Sequence, residues 1–466
     1  MNVAEQIVAQ LVDAGVHRIY GIVGDSLNPI VDAVRKTGGS KKGGIDWIHV
    51  RHEEAAAFAA SAEAQLTGKL AVCAGSCGPG NLHLINGLYD ANRTGAPVLA
   101  IASHIPSVQI GTMYFQETHP DRIFEECSVY NELISSAAQS PRTVNSAIRH
   151  AVGLGGVSVI TLPGDVSDLK AVEHIPTYAP ARPATLTPNA ADIEEAAALL
   201  NKADKVAIFA GAGVEGAHDE VIALADALKA PIGHSLRGKH FIQYDNPFDV
   251  GMTGLLGYGA AAEGMSDADV LILLGTDFPY DQFLPDTPTI QVDTHAEKLG
   301  RRTDVGLAIH AQVKPFIEAL LPHLRANRSD SFLKSKIKKH SEIMHAPVGA
   351  YTRNVEKMRP IHPEYAAHLL NETAAKDAIF TADTGMCNVW TARYIDPLGT
   401  RRLIGSLLHG SMANALPMAL GAQVAYPDRQ VVSVSGDGGL SMLLGELITA
   451  KMYDLPVKVV VFNNST

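Results

Sequence analysis

The chain has 466 residues, enough for about three domains at roughly 150 residues each. Hydrophobic residues make up 46% of it and charged residues 19%, which supplies a large core and excludes a globally disordered chain. A net charge of −11 argues against a general nucleic-acid binder, and four cysteines (Cys73, Cys77, Cys127 and Cys387) are too few for a disulfide scaffold.

From the N-terminus, residues 3–14 read as an amphipathic helix stopped at Gly15. Glu5 and Asp13 fall where a secretory signal would need an apolar core. No run of about 18 apolar residues occurs, so no transmembrane helix is expected. HRIYGIVG is a short strand, and Asp25 or Ser26 is placed to cap the next helix, with Pro29 in its first turn. DWIHV is a strand followed by the Ala-rich helix EEAAAFAASAEAQLTG. KLAVCAGSCGPG runs from a strand into a glycine turn, and its two cysteines lack the usual zinc spacing. PVLAIAS and GVSVITLPGD are further buried strands. Strand, turn, helix and strand at this spacing imply a parallel sheet covered by helices.

Residues 178–192 (YAPARPATLTPNAAD) read as a linker. A second α/β unit begins at KVAIFAGAG and continues through DADVLILLGTDF and TIQVDT. The basic stretch from Arg325 to Asn354 reads as a solvated helix plus a connection. A third unit begins near IHPEYAAHLLNE, with strands DAIFTAD, RRLIGS, QVVSVSGDGG and VKVVVFNN. A parallel strand normally feeds a covering helix, so the chain is expected to be C-terminally incomplete after Thr466.

The strongest chemical signal lies at this end. Asp437, in Gly436-Asp437-Gly438-Gly439, follows one strand, and Asn463-Asn464 follow another, with a single helix (LSMLLGELITAKMYD) expected between them. One strand–helix–strand crossover brings Asp437 and Asn464 side by side as hard oxygen ligands, and the glycines let phosphate oxygens approach the backbone. Mg²⁺ or Ca²⁺ prefers such a set.

This pattern resembles the diphosphate–metal motif of the thiamine-diphosphate enzyme superfamily. The resemblance implies the metal ligands Asp437, Asn464 and Thr466, with Gly438 and Gly439 at the diphosphate. It makes Glu53, first in Glu53-Glu54-Ala55-Ala56-Ala57, the cofactor-activating carboxyl. A carboxyl bonded to N1′ of the aminopyrimidine shifts that ring towards its imino tautomer, whose 4′ nitrogen takes the proton from thiazolium C2. Gly75-Ser76-Cys77-Gly78-Pro79-Gly80-Asn81 resembles the family's cofactor loop, which implies contacts from Gly78 and Asn81. His409-Gly410-Ser411-Met412-Ala413-Asn414 resembles the segment supporting the bent cofactor. It implicates Gly410, Ser411 and Met412, with Met412 wedged between the two rings. Thr384-Gly385-Met386 stands where the family usually has Gly-Thr-Pro.

Gly211-Ala212-Gly213-Val214-Glu215-Gly216 formally fits a dinucleotide fingerprint. The next strand, however, ends in His234-Ser235 without the acid that NAD requires. The resemblance instead implies FAD across the middle domain. Its expected contacts are Gly211, Gly213, Arg237, the segment Met252-Thr253-Gly254-Leu255, the segment Gly275-Thr276-Asp277-Phe278-Pro279, and Asp293. Arg237 would face the diphosphate, and Asp293 would bond ribose or adenine.

Ile105 to Pro120, with Phe115-Gln116-Glu117 at its centre, is similar to the pyruvate oxidase family and closest to the bacterial pyruvate:quinone oxidoreductases. The similarity runs through all 466 residues. It implies an α/β fold of three doubly wound parallel-sheet domains: a pyrimidine-binding domain (1–181), an FAD-binding Rossmann-like domain (182–335), and a diphosphate-binding domain (336–466) truncated at its C-terminus. The implied reaction is oxidative decarboxylation of pyruvate to acetate and CO₂, with Phe115 and Gln116 near the substrate. Thiamine diphosphate, Mg²⁺ and FAD would be the cofactors, and a membrane quinone (ubiquinone or menaquinone) the acceptor. A homo-oligomer, as a dimer of dimers with sites between subunits, is implied. So is a cytoplasmic protein peripheral to the inner face of the cell membrane, touching it through a further C-terminal helix. Two alternatives stay open: an acetolactate synthase or phosphate-dependent pyruvate oxidase, and an inactive, truncated nucleotide-binding scaffold.

Overall fold

A computed structural model describes residues 1–173, 178–181, 183–326 and 328–464. The described residues contain three sheets. The first has the strands β1 (Arg18–Gly21), β2 (Asp46–His49), β3 (Ala71–Gly75), β4 (Val98–His104), β5 (Tyr130–Leu133) and β6 (Val157–Pro163), in the order β2-β1-β3-β4-β6-β5. All its pairings are parallel. β3, β4 and β6 are buried along their whole length, as sheets covered on both faces require.

The second sheet has β7 (Val206–Ala210), β8 (Ile232–His234), β9 (Asp249–Met252), β10 (Tyr258–Gly259), β11 (Val270–Leu274), β12 (Thr289–Asp293) and β13 (Leu307–His310). Its order is β10-β9-β8-β7-β11-β12-β13, parallel except for the β9–β10 hairpin. The third sheet has β14 (Ile379–Ala382), β15 (Arg402–Gly405), β16 (Val431–Gly436) and β17 (Lys458–Phe462), in the order β15-β14-β16-β17.

The chain forms two compact units. One comprises Met1–Arg182, Ala378–Asn388 and Ile404–Thr466; the other comprises Pro183–Asp377 and Val389–Leu403. Residues 336–377 thus lie with the middle sheet. In the first unit, small residues set the helix packing. The Ala-rich helix Glu53–Thr67 meets the helix Pro79–Thr94 at Gly87, where a Cβ would come within 2.5 Å of the Ala57 Cβ. It meets the helix Ala415–Ala425 at Gly421, where a Cβ would lie 2.2 Å from the Ala59 carbonyl oxygen. This close backbone contact explains how a core this size manages with so few aromatics.

Three local expectations are corrected. Neither Asp25 nor Ser26 caps the helix Asn28–Lys36: a short 3₁₀ turn (Asp25–Leu27) intervenes, and the Ser26 hydroxyl instead bonds the Ser103 hydroxyl (2.7 Å) and accepts from the Cys77 amide (3.1 Å). The helix expected between Asp437 and Asn463 is two short helices, Asp437–Met442 and Glu446–Met452, broken at Gly445. The helix Ser331–Ile343 is not wholly solvated, because Lys336 is buried and its Nζ donates to Glu263 (2.7 Å) and Asp267 (2.5 Å).

Candidate functional site

In the first sheet, chain order reverses between β1 and β3. Ligands of open α/β sheets gather at such a switch, outside the carboxyl ends of the strands. The segments after β2 and β3 meet there. His52 caps the helix Glu53–Thr67, its Nδ1 accepting from the Glu54 amide (3.2 Å). Glu53 opens that helix and is buried. Its Oε2 lies 2.9 Å from Nδ1 of His83, and its Oε1 lies against Gly80, where a Cβ would stand 3.0 Å away. His83 stacks on His52 with ring centroids 4.4 Å apart.

Gly78 takes a positive φ of 69° and packs against Gln116, whose backbone oxygen would lie 2.8 Å from a Cβ there. Gln116 is itself left-handed, at φ 62°, and its Oε1 accepts from the Cys77 thiol at 3.4 Å. Gly78 and Gln116, two of the expected site residues, are thus adjacent, while Phe115 beside them is 78% exposed. The buried Asn81 side chain donates to the Ser103 carbonyl (2.7 Å) and ties the glycine loop to β4.

The third sheet reverses between β14 and β16, and Asp437 follows β16 at that switch. β16 and β17 are parallel with Gly436 opposite Phe462, so Asp437 and Asn463-Asn464 leave adjacent strands side by side. Oxygen donors at neighbouring strand ends with a glycine run between them fit a divalent cation carrying phosphate oxygens. Thr466, the third expected ligand, lies outside the described residues. Met412 reaches over this turn, its Cε 3.7 Å from where a Gly438 Cβ would be. Gly410 has φ 77° and Ala413 φ 66°. Ser411 donates its amide to Ser406 Oγ (3.0 Å) and accepts at Oγ from Asn86 (2.8 Å).

Gly439 approaches Asp383 so closely that a Cβ would fall 2.2 Å from Oδ2. Asp383 follows β14 and is buried. Its Oδ1 accepts from the Thr384 amide (3.0 Å) and Asn414 Nδ2 (3.1 Å), whereas its Oδ2 has no hydrogen-bond partner among the described residues. Burial pushes this carboxyl up to about 6.

Residues 1–123 match the thiamine pyrophosphate enzyme N-terminal TPP binding domain, 193–320 the central domain, and 383–466 the C-terminal TPP binding domain. Pyruvate oxidase of Lactiplantibacillus plantarum is 32% identical over 463 residues, covering 97% of this chain and 75% of that protein. The chain belongs to the thiamine pyrophosphate enzyme family. Acetolactate synthase isozyme 2 large subunit of Escherichia coli is 31% identical over 480 residues, covering all of this chain and 83% of that one. A protein of Pseudomonas amyloderamosa described as "Uncharacterized 42.6 kDa protein in isoamylase 3′region" is 54% identical over 335 residues, 71% of this chain and 83% of its own length.

In this family member, the segments expected to hold FAD all follow carboxyl ends of the second sheet, which reverses between β7 and β11. Gly211 and Gly213 follow β7, and Arg237 follows β8. Thr253, Gly254 and Leu255 follow Met252 at the end of β9. Gly275, Thr276, Asp277, Phe278 and Pro279 follow β11, and Asp293 ends β12. The glycines answer first to the protein itself. Gly275, at φ 60°, packs on Gly213, whose Cα would lie 2.4 Å from a Cβ, and a Cβ on Gly211 would meet Thr276 at 2.4 Å. Asp277 pairs with Arg301 (Nε at 2.9 Å). Asp293 accepts from the His295 amide (2.9 Å). Phe278 is buried edge-on to Phe209. These segments share the switch point of the second sheet, the place where open α/β sheets take ligands.

Several residues near the site were not singled out by sequence. Glu446 opens the last helix and is buried; its Oε1 accepts from the amides of Arg51 (2.8 Å) and His52 (3.0 Å), and its Oε2 from Thr449 Oγ1 (2.7 Å). Burial raises its pKa. It fastens the turn that presents Glu53. An acid inside the apolar run Leu443-Leu444-Gly445-Glu446-Leu447-Ile448 was the available signal. Asn86 donates to Glu54 (2.7 Å) and lies 2.8 Å from His409. No described helix is long and apolar enough to cross a membrane.

Proposed function

We propose that this chain performs the oxidative decarboxylation of pyruvate to acetate and CO₂, using thiamine diphosphate, Mg²⁺ and FAD, and passes the electrons to a membrane quinone. The observation that carries the thiamine-diphosphate part is the parallel register of β16 and β17, with Gly436 opposite Phe462, which sets Asp437 beside Asn463-Asn464. In this reading Asp437, Asn464 and Thr466 hold the metal, Gly438 and Gly439 admit the diphosphate, and Gly410, Ser411 and Met412 support the cofactor. Glu53 hydrogen-bonds its ring nitrogen, with Gly78 and Asn81 shaping the loop beside it. Phe115 and Gln116 face the substrate.

The segments Gly211–Gly213, Arg237, Met252–Leu255, Gly275–Pro279 and Asp293 hold FAD. When bound, thiamine diphosphate supplies the electron sink that lets CO₂ leave, and FAD the two-electron acceptor. The similarity of residues 105–120 to quinone-linked pyruvate oxidases favours this branch. The exposed Val108, Met113 and Phe115 and the exposed Leu444, Leu447 and Ile448 suit burial against a second copy, in keeping with a homo-oligomer whose sites lie between subunits.

The test is a flavin spectrum of protein purified with all three cofactors, followed by anaerobic pyruvate. Bleaching of the flavin, reoxidation by a quinone analogue and acetate as product are expected. Colourless protein, or acetolactate or acetyl phosphate as the product, overturns the quinone-linked reading. The second reading, an acetolactate synthase, draws on the E. coli relative and predicts acetolactate without net flavin reduction.

A further inference from the structure

We propose that His83 is a positioning residue for Glu53: it holds one carboxyl oxygen through a shared proton and leaves the other to face the cofactor. The inference rests on the reading of Glu53 given above. It starts from an asymmetry in the Glu53 carboxyl. Oε2 is engaged by His83 Nδ1 at 2.9 Å, while Oε1 lies against Gly80, a residue with no side chain to occupy it. Only Oε1 is left for a ring nitrogen. A carboxyl that could rotate would offer either oxygen; one tethered at Oε2 has a single presentation.

The imidazole is itself oriented. His83 sits on the helix Pro79–Thr94, three residues after Gly80, so both face Glu53. Its ring stacks on His52 at 4.4 Å and 27°. His52 is locked in turn, because its Nδ1 accepts from the Glu54 amide as the helix cap. That engagement also leaves His52 Nδ1 unavailable to a metal ion, although ligand atoms of His52, Glu53 and His83 lie within 4.8 Å of one another.

The Glu53 side chain is only 7% exposed, so its carboxyl does not swing out to water and its presentation rests on the groups around it.

Two substitutions separate donor from ring. His83→Asn keeps a donor near the Nδ1 position but loses the stack; His83→Phe keeps the stack but has no donor. In the holoenzyme reconstituted with thiamine diphosphate, Mg²⁺ and FAD, deuterium exchange at thiazolium C2 is followed by quenched NMR, and cofactor affinity by fluorescence titration. His83→Phe is expected to slow exchange by about tenfold or more, as loss of a charge-assisted hydrogen bond implies, while the Kd for thiamine diphosphate changes by less than about threefold. His83→Asn is expected to stay within about threefold of the parent in exchange. Exchange in His83→Phe equal to the parent, or equally slow in both variants, overturns the proposal.

Glu53→Gln is the control for the underlying reading. If it exchanges normally, Glu53 is not the activating carboxyl; if it is slow while His83→Phe is normal, only the role of His83 fails. A cofactor-free readout stands beside these. Side-chain ¹⁵N spectra of the apoprotein should show the His83 Nδ1 resonance moving on Glu53→Gln, and an unmoved resonance also overturns the proposal.

Discussion

Asp383→Asn tests the electrostatics beneath the turn Gly436–Gly439. In the native protein the Asp383 carboxyl has one oxygen bonded by Thr384 and Asn414 and the other pressed towards Gly439, without a hydrogen-bond partner among the described residues. Its pKa rises from 3.8 to about 6 because burial disfavours the ionised form. The folded state therefore binds more protons than the unfolded chain between those two values, so stability falls as pH rises through this window. Below 3.8 the cost is absent; above 6 it is complete. A shift of two pH units corresponds to about 3 kcal/mol. Asparagine keeps the acceptor for Thr384 and Asn414 and never ionises. The variant should thus gain up to about 3 kcal/mol over the parent at pH 7.5, and the gain should shrink towards zero at pH 4. Urea unfolding of the cofactor-free protein, at fixed protein concentration and at pH steps from 4 to 8, reads the difference. A gain that does not change with pH, or a loss that grows above pH 6, refutes the assignment of Asp383 as a buried acid under strain from desolvation.

Glu446→Ala removes the acceptor of the Arg51 and His52 amides and should cost about 2 kcal/mol in urea unfolding, with weaker thiamine diphosphate binding by titration because the turn before Glu53 loosens. Gly421→Ala drives a Cβ to 2.2 Å from the Ala59 carbonyl oxygen and should destabilise by about 3 kcal/mol, whereas Gly68→Ala, at φ 66° with nothing within 4 Å, should cost only about 1 kcal/mol; thermal melts of the pair check the contrast. Lys239, wholly buried with Nζ donating to the Ala392 carbonyl, is pushed down by burial from 10.5 to about 8. The unfolded chain binds the extra proton between those values, so the cost of Lys239 is full below pH 8 and fades towards 10.5. Lys239→Met should therefore stabilise the protein at pH 7 by about 2 kcal/mol after the lost hydrogen bond is counted, with the gain vanishing in unfolding curves near pH 10.5.

The sheets were legible because their strands are buried on both faces and so read as unbroken apolar runs between glycine turns; β3, β4, β6, β7 and β11 all have this form. β13 escaped notice because its burial alternates, buried and exposed, over only four residues. Asp437 and Asn464 could be paired from sequence because a right-handed crossover leaves little freedom in where its second strand returns. The break at Gly445 could not be seen the same way. The lone glycine in Leu443-Leu444-Gly445-Glu446-Leu447 weakens a helix without by itself ending one, and at the break Glu446 turns inward to bind two amides that lie nearly 400 residues earlier in the chain. His83 was hidden for a related reason. Three residues beyond Gly80 it is one polar residue on a half-exposed helix face, and nothing local distinguishes it. It gains meaning only once β2 and β3 place the turns that follow them at one switch point, so that the cap of one helix and the second turn of another close on the same carboxyl. Sequence motifs therefore single out candidate site residues, whereas the side chains packed against them are set by where separate turns converge.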